Sequence, residues 1–179
     1  SLGAFSPAVQ WATIPFMAVG ATSFVLLYHV IEGDWGRLAR SEEFRFYLLV
    51  LGGVGGVVAT LLVLDPVTTY GPEATVRHAL FQVVSIVTTT GYATVDFDLW
   101  SPAAKHVLFA AMFLGGMAGS TTCSIKLVRW LVVLKGFRRD LFRAVHPEAV
   151  RPVRVSGNVV DEEAVRDVYA YTLLSLLVF

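Results

Sequence analysis

The chain has 179 residues, 55% of them hydrophobic, with a mean hydropathy of +0.65, which excludes an ordinary soluble domain and points to a membrane protein. Its 14 Lys and Arg balance 14 Asp and Glu, so it has no net charge and no nucleic-acid footprint. The one cysteine, Cys123, excludes an internal disulfide.

In chain order, residues 1–8 lack the basic n-region of a signal peptide. Residues 8–31 form an apolar stretch long enough, at ~1.5 Å per residue, to cross a ~30 Å hydrocarbon core, and Pro15 and His29 interrupt it. A charged loop follows at 32–43. A second span is expected over 44–64, and it carries Gly52-Gly53-Val54-Gly55-Gly56, small residues that let membrane helices approach closely. Residues 65–102 are mixed. Within them the helix-like apolar stretch 75–87 is only ~20 Å long, too short to cross. The polar run Thr88-Thr89-Thr90-Gly91-Tyr92-Ala93-Thr94 comes directly after it.

Pro102 suits the start of a third helix. This helix, expected over 103–134, is broken by Gly115-Gly116-Met117-Ala118-Gly119-Ser120-Thr121-Thr122-Cys123-Ser124. Residues 135–165 read as a cytoplasmic connector, basic and then acidic. Asp161-Glu162-Glu163 suits the first turn of a fourth span that begins over 166–179. The chain starts without Met and stops inside an apolar run, so we expect a piece of a longer protein.

Lys and Arg set the orientation. Arg37, Arg40 and Arg45 flank the first loop. Lys126, Arg129, Lys135, Arg138, Arg139, Arg143, Arg151 and Arg154 crowd the region 126–154, while 65–105 holds only Arg77 and Lys105. The first two regions therefore face the cytoplasm, and 65–102 must begin and end outside. A half-length helix followed by polar backbone then enters the bilayer and returns. Non-helical backbone at membrane depth survives only where it is buried in protein or lines a wet cavity.

A bare cation needs oxygens to replace its water, and backbone carbonyls supply them without a trapping charge. Thr89, Thr90, Gly91 and Tyr92 are the candidate ion-binding residues, with Gly91 permitting a turn that a Cβ hinders. Asp96 and Asp98 would lie near the outer mouth and concentrate cations. The residues alone leave this filter and an ordinary polar turn both open. The small-residue break likewise reads either as a gate or as a helix-packing site. It is not a nucleotide loop, because Ser120, not Lys, follows Gly119. Snorkelling at the cytoplasmic helix end is the expected role of Lys126 and Arg129, with an electrostatic brake on the pore as the alternative. His29, His78, His106 and His146 have no metal-ligand spacing, and nothing resembles a catalytic triad or zinc-protease motif, so neither an enzyme nor a cofactor is expected.

Three stretches together resemble the ion-translocating subunit of the Trk/Ktr/HKT potassium-transporter superfamily, the TrkH type most closely. Phe81-Gln82-Val83-Val84-Ser85 running into Thr89-Thr90-Gly91-Tyr92-Ala93-Thr94 looks like its pore helix and filter. Gly115-Gly116-Met117-Ala118-Gly119-Ser120-Thr121 followed by Ile125-Lys126-Leu127-Val128-Arg129 looks like its intramembrane loop. Val145-His146-Pro147-Glu148-Ala149-Val150 looks like a TrkH connector. The similarity covers essentially the whole chain.

The resemblance implies an all-α membrane protein with the helix–pore loop–helix repeats of a potassium-channel-like fold. About one complete repeat is present, with flanking helices. Residues 1–31 would end the second repeat, 44–134 would form the third, and 166–179 would begin the fourth. In the third, 75–87 is the pore helix, 88–94 the filter and 103–134 the broken helix. The implied function is potassium transport across the cell membrane as a multi-pass pore-forming subunit, with potassium as substrate. Thr89, Thr90, Gly91 and Tyr92 would bind the ion through their backbones, and Gly115, Gly116, Gly119, Ser120, Thr121, Cys123 and Ser124 would gate it. Implied partners are a second copy, a cytoplasmic nucleotide-binding TrkA-type regulatory subunit docking on 135–154, and membrane lipid. A non-conducting scaffold or regulatory subunit and a sodium-permeable homologue are the alternatives. Where the family usually has a glycine pair before the lysine, this chain has Cys123-Ser124, and Met117 stands where Cys is often found.

Overall fold

The computed structural model describes residues 2–65, 70–146 and 152–178. Pro147-Glu148-Ala149-Val150 of the connector signature, Arg151 of the basic region, and residues 1, 66–69 and 179 lie outside the described residues.

Helix α1 spans Pro7–Gly20 and α2 spans Phe24–Ile31. The single helix expected over 8–31 is therefore two, bent by 106°. The bend is not at Pro15, which α1 absorbs. It falls at Ala21-Thr22-Ser23, because a distant segment takes the backbone groups that a break sets free. The Met117 N–H donates to the Ala21 carbonyl at 3.0 Å, and the Phe24 N–H donates to the Gly119 carbonyl at 3.1 Å.

After the short helix α3 (Trp35–Arg40), helix α4 runs over Glu42–Leu64. Ser41 caps it, its Oγ accepting from the Phe44 N–H at 3.3 Å, and Glu42 and Glu43 sit in its first turn. Among the described residues α4 is the one helix that by itself is long and apolar enough to cross a membrane, and the bent α1–α2 pair would count together as a second. Of its four clustered glycines only Gly55 serves close approach here. The Leu80 side chain fills the place where a Cβ would stand, while Gly52, Gly53 and Gly56 have no atom within 4 Å of that place.

Helix α5, Pro72–Val87, is the centre of the core. Ala79, Phe81, Val83, Val84, Ser85 and Val87 are all at most 2% exposed. Thr75, Arg77, His78 and Gln82 are buried with them, so α5 is covered on several sides, and α4, α1 and helix α6 (Pro102–Ala111) pack on it. Residues 112–126 separate α6 from helix α7, Leu127–Val145. The break is thus wider than 115–124, and α7 carries the basic region eleven residues past 134. Strands β1 (Val153–Val155) and β2 (Asn158–Val160) pair antiparallel, Val153 opposite Val160, and lead into helix α8, Glu162–Val178. Val132, Val153 and Val165 form a second small core joining α7, β1 and α8. Around it Glu42 binds Lys135 at 2.6 Å, and Arg139 binds Glu162 at 2.6 Å and Asp140 at 2.9 Å.

Candidate functional site

At its C-terminal end α5 does not simply stop. The Thr88 N–H still reaches the Val84 carbonyl, and Thr89 reaches Ile86. The N–H groups of Thr90 and Gly91 then both turn back to the Ser85 carbonyl, at 2.9 and 3.3 Å. Thr89 and Gly91 take left-handed backbone, with φ of 52° and 77°. Thr89 is a non-glycine residue in that region, a conformation costing about 1–2 kcal/mol. Gly91 needs its missing Cβ for this φ alone, because nothing lies within 4 Å of where a Cβ would stand.

The consequence for chemistry lies in the carbonyls. Among the described residues, those of Thr88, Thr89, Thr90 and Gly91 accept no hydrogen bond. The Tyr92 carbonyl is different: it accepts from Ser85 Oγ at 2.6 Å. The set of unoccupied oxygens therefore ends one residue earlier than the four candidate residues suggested. The stretch is pinned at both ends. Thr88 and Thr90 share a hydroxyl contact at 2.7 Å. Buried His78 and Thr94 meet at 2.8 Å, and the Leu2 N–H donates to the Ala93 carbonyl at 2.9 Å. Arg77, also on α5, binds Glu73 at 2.8 Å and Gln10 of α1, while Trp11 donates to Glu73 at 2.7 Å. Asp96 caps its own turn, its Oδ1 accepting from the Asp98 N–H, and both acids are exposed.

The second candidate segment lies against the first. Cys123 and Ser124 share with Ser85, Ile86, Thr89, Gly91 and Met112 the lining of a cavity of about 320 Å³. The Cys123 N–H donates to Thr89 Oγ1 at 3.4 Å. Gly115 and Gly116 are buried where no side chain fits. A Cβ on Gly115 would stand 2.8 Å from the Cys123 carbonyl oxygen, and one on Gly116 would stand 2.7 Å from that of Ala21. Gly119 has φ of 72°. Ser124 has φ of 71°, so this chain holds a serine in backbone that glycine adopts at lower cost, and its Oγ donates to the Met112 carbonyl at 2.8 Å. Thr121 Oγ1 donates to the Gly20 carbonyl at 3.1 Å, and Ser120 Oγ donates to that of Met117 at 2.6 Å.

Several residues that hold the site were not among the candidate filter and gate residues, and Lys126 was expected in another role. Thr122 Oγ1 accepts from the Gly116 N–H at 3.0 Å. Lys126 does not snorkel: its ammonium turns back onto the Ser120 carbonyl at 3.2 Å and onto the carbonyl and hydroxyl of Thr122. Glu43, from the first turn of α4, accepts from the Ala118 N–H at 2.6 Å. A glycine-rich break announces itself in a sequence. Thr122 and Lys126 close it from within, whereas Glu43 comes from α4 and carries no local mark.

Known proteins resemble this chain in sequence and fold. The family model described as TrkH, cation transport protein, matches residues 1–179. The Trk system potassium uptake protein TrkH of Halomonas elongata is 33% identical over 183 residues, covering 100% of this chain and 37% of that protein. The Trk system potassium uptake protein TrkG of Escherichia coli is 31% identical over 163 residues, covering 90% of this chain and 33% of that one. The crystal structure of the potassium transporter TrkH from Vibrio parahaemolyticus matches with a TM-score of 0.91 at 31% identity, over 99% of this chain and 39% of that one. The chain therefore spans less than two fifths of the length of these relatives. With a family match over its whole length and a fold that follows a solved member, this chain belongs to the TrkH family of cation transport proteins and has their potassium-channel-like repeat fold.

Proposed function

We propose that this segment contributes one filter strand and one gating loop to the pore of a membrane-embedded, multi-pass potassium uptake protein. The observation that carries the reading is the row of carbonyls at residues 88–91. They are held in alternating left-handed turns, accept no hydrogen bond among the described residues, and lie beside the loop at 112–126. Carbonyl dipoles replace a cation's hydration shell without binding it too tightly to leave. Thr89, Thr90 and Gly91 supply backbone oxygen, and Tyr92 is braced by Ser85. Potassium is the substrate, and ions move down their electrochemical gradient when the loop clears the path. The relatives named as parts of a Trk system suggest a cytoplasmic regulatory subunit of the TrkA type. We place its docking face, or that of anionic lipid, on the basic part of α7 and the adjoining hairpin, and expect a homodimer.

The test is potassium flux through the full-length protein in proteoliposomes. A carboxylate at the filter glycine changes both φ and field, so Gly91→Asp is expected to abolish flux while the protein still elutes as a folded species. Flux equal to that of the unmodified protein overturns the filter assignment. No flux from the unmodified protein favours a non-conducting scaffold, and equal sodium and potassium flux favours a sodium-permeable pore.

A further inference from the structure

Two adjacent acids open α4, and they point to different tasks. Glu42 faces the cytoplasmic hairpin, accepting from Lys135 at 2.6 Å and from the Ser156 N–H at 2.8 Å. Glu43 is half-buried and turns to the break between α6 and α7. Its Oε1 accepts from the Ala118 N–H at 2.6 Å, and the carboxylate also faces the amide of Val128 in the first turn of α7. Lys126 lies close enough to interact electrostatically with it while binding Ser120 and Thr122. One carboxylate thus grips the break on both sides, with residues 119–127 looped out between its contacts.

This contact excludes the straightened form of the same segment. In a continuous helix the Ala118 N–H would bond to the carbonyl four residues earlier, that of Leu114. It cannot do so while it donates to Glu43. Hydrogen bonds from backbone N–H to a carboxylate are about twice as strong as neutral ones, and a carboxylate at a helix N-terminus is favoured by the macrodipole. The interaction is therefore present in one state of the loop and lost in the other, which is the requirement for biasing a two-state element.

We propose that Glu43 is the latch that holds the intramembrane loop in its folded, occluding form. It is a positioning residue: it touches no ion and acts through Ala118 and the start of α7. The proposal rests on the reading of residues 112–126 as a gate.

The experiment uses the full-length protein in proteoliposomes, with cysteines other than Cys123 replaced. Two quantities are read: basal potassium flux, and the labelling rate of Cys123 by a water-soluble thiol reagent, since Cys123 is exposed and lies in the loop. Glu43→Gln keeps the shape and removes the charge. It is expected to raise both by roughly 3- to 10-fold, the range for turning a charge-assisted hydrogen bond into a neutral one. Glu43→Ala is expected to raise them further, and where it fails to fold the glutamine variant decides. Thr122→Ala loosens the loop independently, by removing the acceptor of the Gly116 N–H. If it raises flux and labelling while Glu43→Gln leaves them unchanged or lower, the latch is overturned and the gate stands. If neither variant changes flux, the gate reading falls and the latch falls with it.

Discussion

At the proposed filter, Ser85 holds the turn at three points. Its carbonyl receives the N–H groups of Thr90 and Gly91, and its hydroxyl braces the carbonyl of Tyr92 at 2.6 Å. Ser85→Ala keeps the backbone interactions and removes only the brace. We expect it to destabilise the full-length protein by only about 1 kcal/mol, the net worth of one neutral hydrogen bond. Potassium over sodium preference should fall more visibly, because Tyr92 is then free to rotate. Thermal unfolding alongside competitive rubidium and sodium flux would separate the two effects, and unaltered selectivity would argue against the brace. The turn at Gly91 was legible in the sequence, because a glycine closing a polar threonine run permits backbone that a Cβ hinders. Ser85 was not. A serine inside a helix ordinarily returns its hydroxyl to its own backbone, and only the doubling back of residue 92 offers it another partner.

At the scale of elements, two interruptions complete one another. The bend at 21–23 and the break at 112–126 exchange hydrogen bonds through Ala21, Phe24, Met117 and Gly119. Each is permitted because the other satisfies the groups it releases. This places Gly116 against the Ala21 carbonyl, where backbone cannot easily give way. Gly116→Ala is expected to cost about 1–3 kcal/mol, the usual penalty for overpacking. Gly52→Ala, facing open space on α4, should cost far less and should regain helix propensity. A thermal shift comparison of the two full-length variants checks the ordering, and equal losses would mean the bend and the break are not in close contact. Glycine content alone could not rank these positions. The sequence shows four glycines within five residues on α4, but what stands opposite each is a property of the packed pair.

At the scale of the whole molecule, the proposed function has the segment offer oxygens from one side of an ion path. A potassium ion held by carbonyls needs them all round, and the relatives are more than twice the length of this chain, so on that proposal the remaining sides come from outside the segment. Large apolar side chains also stand uncovered along α7 and α8, among them Leu134, Phe137, Leu141, Leu173 and Leu177. In cells lacking their own potassium uptake, the full-length protein should restore growth at low potassium and this segment alone should not. Growth supported by the segment by itself would contradict a pore assembled from several repeats.

What the sequence determined by itself was whatever is written within one stretch. Apolar length announces α4, a short apolar run ahead of polar residues announces α5 and its turn, and a cluster of small residues announces the break. These signals are local because they arise from side-chain solubility and backbone freedom. The tertiary structure alone decided where the first apolar stretch bends, that Lys126 turns inward, and that Glu43 rather than Glu42 meets the loop. The bend and the Glu43 contact depend on hydrogen bonds between residues as far apart as Glu43 and Ala118, or Gly20 and Thr121, and Lys126 turns inward only because the loop folds back on itself. A backbone amide freed at a break is satisfied by whichever acceptor the packed chain brings within 3 Å, and no periodicity or spacing encodes that neighbour.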